Sequence, residues 1–205
     1  FFTPKIIILL NLSRDQLDRY GEVEIMRQKW AEALKKLPKE ANLIINKDNQ
    51  RIASLGDNFK GNVSYFSLNE LPNIQQINHL LGRYNKLNAL AAIATAKILN
   101  IPEKKINNAI KNFKPAFGRG EEFAVQDRIV KILLAKNPAS FNINLETILE
   151  ELPHTKSILF VLNDNIPDGR DVSWIYDIKS DLLNKACENK KIFVSGKRSA
   201  DFALR

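Results

Sequence analysis

The run Lys5-Ile6-Ile7-Ile8-Leu9-Leu10 carries no polar side chain after Lys5. A strand with one wet face alternates apolar and polar residues, and this run does not. It reads as a strand buried on both faces, as in a parallel sheet covered by helices. Leu43-Ile44-Ile45-Asn46 and Val63 to Phe66 are further short strands. Between the first two, Val23, Met26, Trp30 and Leu34 recur at steps of three, four and four, which is one face of a helix. That spacing makes Met26 and Trp30 core residues. Strand and helix in alternation argue for an α/β fold with a mainly parallel sheet.

The next segments extend the pattern. Ser13 is placed to cap a short helix ending at Gly21. Gly82 opens a long alanine-rich helix to about Leu99, whose small side chains permit close packing on a sheet. Asn85 and Asn88 share a face near its start. A helix start favours anions or a nucleotide, and capping and packing explain the two asparagines equally well. Pro102 begins another helix at its first turn, ending near Phe113. Lys114 to Glu122 has the proline and glycine content of a linker. It divides the chain into residues 1–117 and 118–205. The second part repeats the order: strand Arg128–Leu134, helix Leu145–Leu152, strand Ser157–Leu162, helix Asp177–Glu188, strand Ile192–Val194 and a final helix. Two consecutive doubly wound, mainly parallel sheets are expected.

The net charge is +8, from 31 basic and 23 acidic residues. Nucleic acid or anionic lipid is one explanation and a solvated basic surface another. The lysines are dispersed and no aromatic-interleaved basic patch occurs, so nucleic acid is not the expected partner. No apolar run is long enough to span a bilayer. Phe1-Phe2-Thr3-Pro4 has neither a basic region nor a small-residue cleavage site. A lone cysteine, Cys187, forms neither an intrachain disulfide nor a cysteine-based metal site, which fits a reducing cytoplasm. Neither His79 nor His154 lies in a ligand pattern, so no metal site is expected. The start on Phe1 and the stop at Ala203-Leu204-Arg205 mark the chain as a piece of a longer protein.

The most chemically loaded stretch runs from Leu162 to Asp177. It holds Asp164, Asp168, Asp171 and Asp177 with Asn163, Asn165, Arg170 and Trp174. A loop that only turns the chain has no need of a tryptophan or of carboxylates on both sides of an arginine. Loops at the carboxyl ends of strands in open α/β sheets are where ligands and partners dock. Asp171 itself suits a turn or helix cap.

Several segments together carry a family resemblance. Asn11 to Gly21, Gly82 to Ala92 and Gly118-Arg119-Gly120-Glu121 resemble successive motifs of the Mur ligase superfamily, the ATP-dependent ligases of peptidoglycan synthesis. Leu134-Ala135-Lys136-Asn137-Pro138-Ala139, Asn163-Asp164-Asn165 and Asp168-Gly169-Arg170-Asp171-Val172-Ser173-Trp174 resemble its MurT branch, the ligase-like subunits of lipid II isoglutaminyl synthases. The resemblance implies part of an ATP-binding central domain in 1–117 and a truncated Rossmann-like C-terminal domain in 118–205. It implies ATP and Mg²⁺ as cofactors, lipid II as substrate and a GatD-like glutamine amidotransferase as partner. The D-glutamate α-carboxyl of lipid II would be activated as an acyl phosphate and amidated by ammonia from that partner, at the inner face of the membrane where lipid II is made.

The resemblance also assigns residues. Asp171 matches the aspartate that completes the partner's Cys-His pair, with Trp174 and Tyr176 as interface anchors. Asp164, Asp168 and Asp177 would hold the loop's shape. Asn85 would contact the adenine side and Arg119 the nucleotide from the hinge, with Asn88 and Glu121 ranked lower. Gln16 stands where amino-acid-adding Mur ligases carry histidine. The phosphate-cradling glycine loop with its lysine, the Mg²⁺ ligands and the family's four-cysteine zinc ribbon are not in this sequence. An alternative is therefore a non-catalytic subunit that only activates a glutamine amidotransferase.

Overall fold

The structure is a computed structural model that describes residues 3–13, 22–73, 77, 79–115, 118–166 and 170–205. The short helix expected from Ser13 to Gly21, with Gln16, lies outside the described residues apart from Ser13. So does the Asp168-Gly169 pair. By their contacts the residues divide into two compact units, Phe1–Lys114 and Pro115–Arg205.

The first unit contains β1 (Ile6–Leu9), α1 (Val23–Lys35), β2 (Asn42–Asn46), the short α2 (Gln50–Ala53), β3 (Asn62–Phe66), α3 (Arg83–Ile98) and α4 (Glu103–Asn112). The three strands lie side by side in the order β1-β2-β3, all parallel. Leu43, Ile44 and Ile45 are each 0% exposed. Successive strand residues face opposite ways, so both faces of β2 are covered. Ile44 packs with Ala89, Leu90, Ala91 and Ile93 of α3. Leu43 and Ile45 pack with Leu34, Ile52 and Leu55, flanked by half-buried Val23, Met26 and Trp30 of α1. The helix-face spacing read from the sequence is the face that packs. Pro102 sits one residue outside α4, as its N-cap, rather than in its first turn.

Side chains tie the carboxyl ends of the three strands together. The Asn46 amide donates to the Leu10 carbonyl at 2.9 Å, and Asn46 Oδ1 accepts the Asp48 N–H at 2.9 Å. The Asp48 carboxylate accepts the Ser67 hydroxyl at 2.6 Å and the Leu68 N–H at 2.8 Å. Backbone groups that leave the sheet here find partners without needing a longer strand.

The second unit contains β4 (Arg119–Val125), β5 (Arg128–Leu133), α5 (Pro138–Glu151), β6 (Ser157–Val161), a 3-10 turn (Ser173–Asp177), α6 (Ser180–Cys187), β7 (Lys191–Ser195) and α7 (Ser199–Leu204). β6 and β7 are parallel neighbours. Leu145, Ile148, Ile158, Phe160, Ile175 and Phe202 anchor its core.

Four elements differ from expectation. β1 is not buried on both faces, since Ile8 is exposed. α5 begins at Pro138, ahead of the expected Leu145, where Asn137 Oδ1 accepts the Ser140 N–H as an N-cap. Two further elements change type. Residues 119–122, read as linker, open an antiparallel hairpin with β5, irregular in register between Arg119 and Glu121. Much of the hairpin is exposed, so no apolar alternation marks β4 in the sequence. The helix expected over Asp177–Glu188 is instead a 3-10 turn, a break at Ile178-Lys179 and then α6. The break lets both Ile175 and Ile178 enter the core. The Lys179 N–H that it frees donates to Asn142 Oδ1 of α5 at 3.1 Å.

Candidate functional site

The segment after β6 is held from the far side by the turn after β7. The Leu162 N–H donates to the Ser195 carbonyl and the Leu162 carbonyl accepts from the Arg198 N–H, both at 3.0 Å. Gly196 makes this crossing possible. Its φ of +95° is a conformation that side-chain-bearing residues avoid, and a Cβ there would stand 2.2 Å from the Leu162 oxygen.

The Asn163-Asp164-Asn165 side chains then lock onto the same turn. Asn163 Oδ1 accepts the Lys197 N–H at 3.0 Å, and Asn165 Oδ1 accepts the Lys197 ammonium at 2.7 Å. Asp164 lies 3.4 Å from Arg198 Nη1. Arg198 also makes a two-pronged pair with Asp201 at 2.8 and 2.9 Å. The Asp201 carboxylate, followed by that of Asp164, holds this guanidinium above its ordinary range, and Asp201 is depressed in turn. Asp164 thus shapes the loop; Asp177 is exposed and takes no part in these bonds.

Asp171 stands apart from this scaffold. Its side chain is exposed, and Oδ1 accepts the Ser173 N–H at 2.8 Å. It therefore caps the 3-10 turn, and the cap orients the carboxylate. Buried Val172 and Ile175 pin the turn on either side. Trp174 is half-buried, its ring 6.0 Å from that of Phe141 and tilted by 55°. It serves as a strut under the turn, whereas Tyr176 is 59% exposed and faces solvent.

The Ser173 N–H, followed by the Ser173 hydroxyl, lowers the Asp171 pKa below the ordinary aspartate value. A depressed folded-state value gives stability that is present at neutral pH and lost as pH falls through that value. The carboxylate is therefore expected to titrate below an aspartate in an unstructured peptide, as followed by carbon NMR. Ser173→Ala should raise the midpoint part of the way, since the backbone bond remains. A midpoint at or above the peptide value would rule the cap out.

The other expected residues are distributed over both units. Asn85, in the first unit, is 8% exposed, and its amide donates to the Leu81 carbonyl at 2.8 Å. It lies in the first turn of α3, behind Gly82 at φ 82°. Asn88 is exposed on the same helix. Arg119, in the second unit, is exposed at the start of β4. Glu121 accepts the Gly118 N–H at 3.0 Å, which is a turn-shaping bond. His79 bonds the Phe113 carbonyl at 3.2 Å. Burial raises the pKa of Cys187, which packs against the core, so its thiol is a poor nucleophile. Among the described residues no three His, Cys, Asp or Glu side chains converge as metal ligands. No helix in the described residues is long and apolar enough to cross a membrane. Lys197 and Arg198 were not singled out from the sequence; their only signal was a basic pair just after a strand-ending glycine.

Residues 134–205, the part that carries this loop and its brace, match the family of MurT ligase C-terminal domains. The MurT likeness continues beyond them. Over 99% of its length the chain is 29% identical to subunit MurT of the glutamine-hydrolyzing lipid II isoglutaminyl synthase of Staphylococcus aureus strain COL, covering 60% of that protein. The chain thus spans less than two thirds of that relative's length. Among solved structures, MurF from Acinetobacter baumannii superposes with a TM-score of 0.67 at 16% identity, covering 98% of this chain and 52% of that one. MurF from Thermotoga maritima, solved in complex with ADP, gives 0.66 at 14% identity, covering 99% and 56%. At such identities the likeness establishes the Mur ligase fold.

Proposed function

We propose that the chain acts in the ligase-like subunit of a lipid II isoglutaminyl synthase, and that Asp171 works in the active site of a glutamine amidotransferase partner. The observation that carries this is an exposed, oriented carboxylate on a braced turn, inside the segment that matches the MurT ligase C-terminal family. A base histidine paired with a cysteine needs an acceptor to fix its tautomer and to stabilise its cation. Asp171 is already ionised at neutral pH and is held by its cap, so it can meet that histidine without reorganising. The partner, a GatD-like subunit, hydrolyses glutamine to glutamate and ammonia. Ammonia then displaces phosphate from the activated α-carboxyl of D-glutamate in lipid II and leaves the amide of D-isoglutamine.

In this reading residues 1–117 are the C-terminal part of an ATP-binding central domain and 118–205 a Mur ligase-like C-terminal domain. Asn85 and Arg119 contact the nucleotide. Asn85 is suited to shaping the adenine side, since its amide is held against the Leu81 carbonyl. The residues here do not extend to the phosphates or to Mg²⁺, because no Gly-x-x-Gly-Lys-Thr loop occurs in this sequence. The reaction belongs at the cytoplasmic face of the membrane.

The test is co-expression of the full-length protein with its amidotransferase, followed by assays for glutamate release and for amidated lipid II with ATP. Both products are expected. Glutamate release without amidation would favour the reading in which the subunit only activates the amidotransferase. Absence of both would end the proposal.

A further inference from the structure

The turn that presents Asp171 is gripped at its other end. Arg205 follows α7, and its guanidinium donates from Nε to the Ile175 carbonyl at 3.0 Å. Nη2 donates to the Ile178 carbonyl and to Ser180 Oγ, the latter at 2.9 Å. Ile175 lies within the 3-10 turn and shares its carbonyl between this bond and the turn's own, while Ile178 follows the turn, where carbonyls run out of helical partners. A planar guanidinium can serve two such carbonyls and a hydroxyl at once; a point-like ammonium cannot.

The turn itself is short and stiff. The Ile175 N–H donates to the Val172 carbonyl at 3.1 Å, and Ile178 N–H to the Ile175 carbonyl at 3.3 Å. Asp171 caps its front and Arg205 holds its back, so tilting the turn about Ile175 would swing the carboxylate. The helix between these contacts is itself fixed. Phe202 is buried, with its ring 4.7 Å from that of Phe160, and Arg198 at the other end of α7 holds Asp164 and Asp201.

We propose that Arg205 is a positioning residue for Asp171, setting the angle at which that carboxylate enters the amidotransferase site. This rests on the function proposed above. Arg205 touches no reacting atom; it acts through the turn. An error of about 1 Å in a positioned group can cost on the order of a hundredfold in rate, and a turn that keeps its cap but loses its rear grip should lose less.

The experiment compares Arg205→Gln, Arg205→Lys and Asp171→Asn in the full-length protein assembled with its amidotransferase. The readouts are kcat and KM for glutamine hydrolysis, the dissociation constant of the complex and the thermal midpoint. Arg205→Gln is expected to lower kcat about tenfold, with KM, complex affinity and thermal midpoint unchanged. Arg205→Lys should recover part of that loss. If Arg205→Gln does not fold, Arg205→Lys decides, since its kcat must fall below wild type at an unchanged thermal midpoint. Unchanged kcat in the Arg205 variants beside a large loss in Asp171→Asn would overturn the positioning role and leave the Asp171 assignment standing. A loss that merely tracks weaker assembly or lower stability would also overturn it. Wild-type hydrolysis in Asp171→Asn would remove the reading on which both rest.

Discussion

Glutamine hydrolysis by the assembled complex is expected to fall on the order of a hundredfold or more when Asp171 becomes asparagine. The substitution isolates charge from shape. Asparagine has nearly the same size, and its oxygen can still accept the Ser173 N–H that caps the turn. What disappears is the negative charge that would stabilise the partner's imidazolium. An amide can also present its NH₂ to the ring and favour the wrong tautomer. The loss should therefore appear in kcat, with KM for glutamine and assembly close to wild type. Hydrolysis within twofold of wild type would eliminate Asp171 as the third member of the constellation.

Gly196→Ala should be the most damaging small substitution in the second unit, costing roughly 3 kcal/mol. Two penalties combine. The left-handed backbone, φ +95°, disfavours any Cβ, and the added methyl would meet the Leu162 oxygen at 2.2 Å and its carbon at 2.8 Å. Both obstacles are backbone atoms, so no side chain can rotate away. Relief requires the ends of β6 and β7 to part, straining the bonds between Leu162 and both Ser195 and Arg198. Gly118 offers the contrast: at φ +72° its Cβ would meet first the Ile132 methyl, at 3.1 Å, and then Leu134 Cβ at 3.4 Å, with no backbone atom nearer than 3.9 Å. Urea unfolding should show the Gly196 variant losing far more than Gly118→Ala. Equal losses would mean that the crossing at Leu162 is not the tight point.

What the sequence made legible was whatever local pattern decides. The continuous run at Leu43-Ile44-Ile45 is buried because helices cover both faces of β2, whereas the equally apolar run Ile6 to Leu10 is not, since β1 lies at one end of the sheet order and leaves Ile8 and Leu10 exposed. The spacing of Val23, Met26, Trp30 and Leu34 needs only the helical period. β4 escaped because Arg119-Gly120-Glu121-Glu122 becomes a strand only through pairing with β5. The break at Ile178-Lys179 escaped because its support comes from Asn142, 37 residues from Lys179, and from Arg205, 27 residues from Ile178. The half-buried packing of Trp174 beside Phe141 escaped because the two rings meet only through the tertiary fold. At the candidate site, motif likeness singled out Asp171 from four aspartates within one stretch. No composition or spacing rule could have found Arg205, which grips the turn that carries it.

The grip of Arg205 on the Asp171 turn has a consequence for biogenesis. Synthesis runs from residue 171 towards residue 205, and compact units fold once their parts have emerged. The carboxylate is therefore made well before the contacts that aim it. A nascent chain that exposes Asp171 does not yet offer the shaped turn, so productive engagement of a partner waits until α7 has left the ribosome and closed over the segment that preceded it.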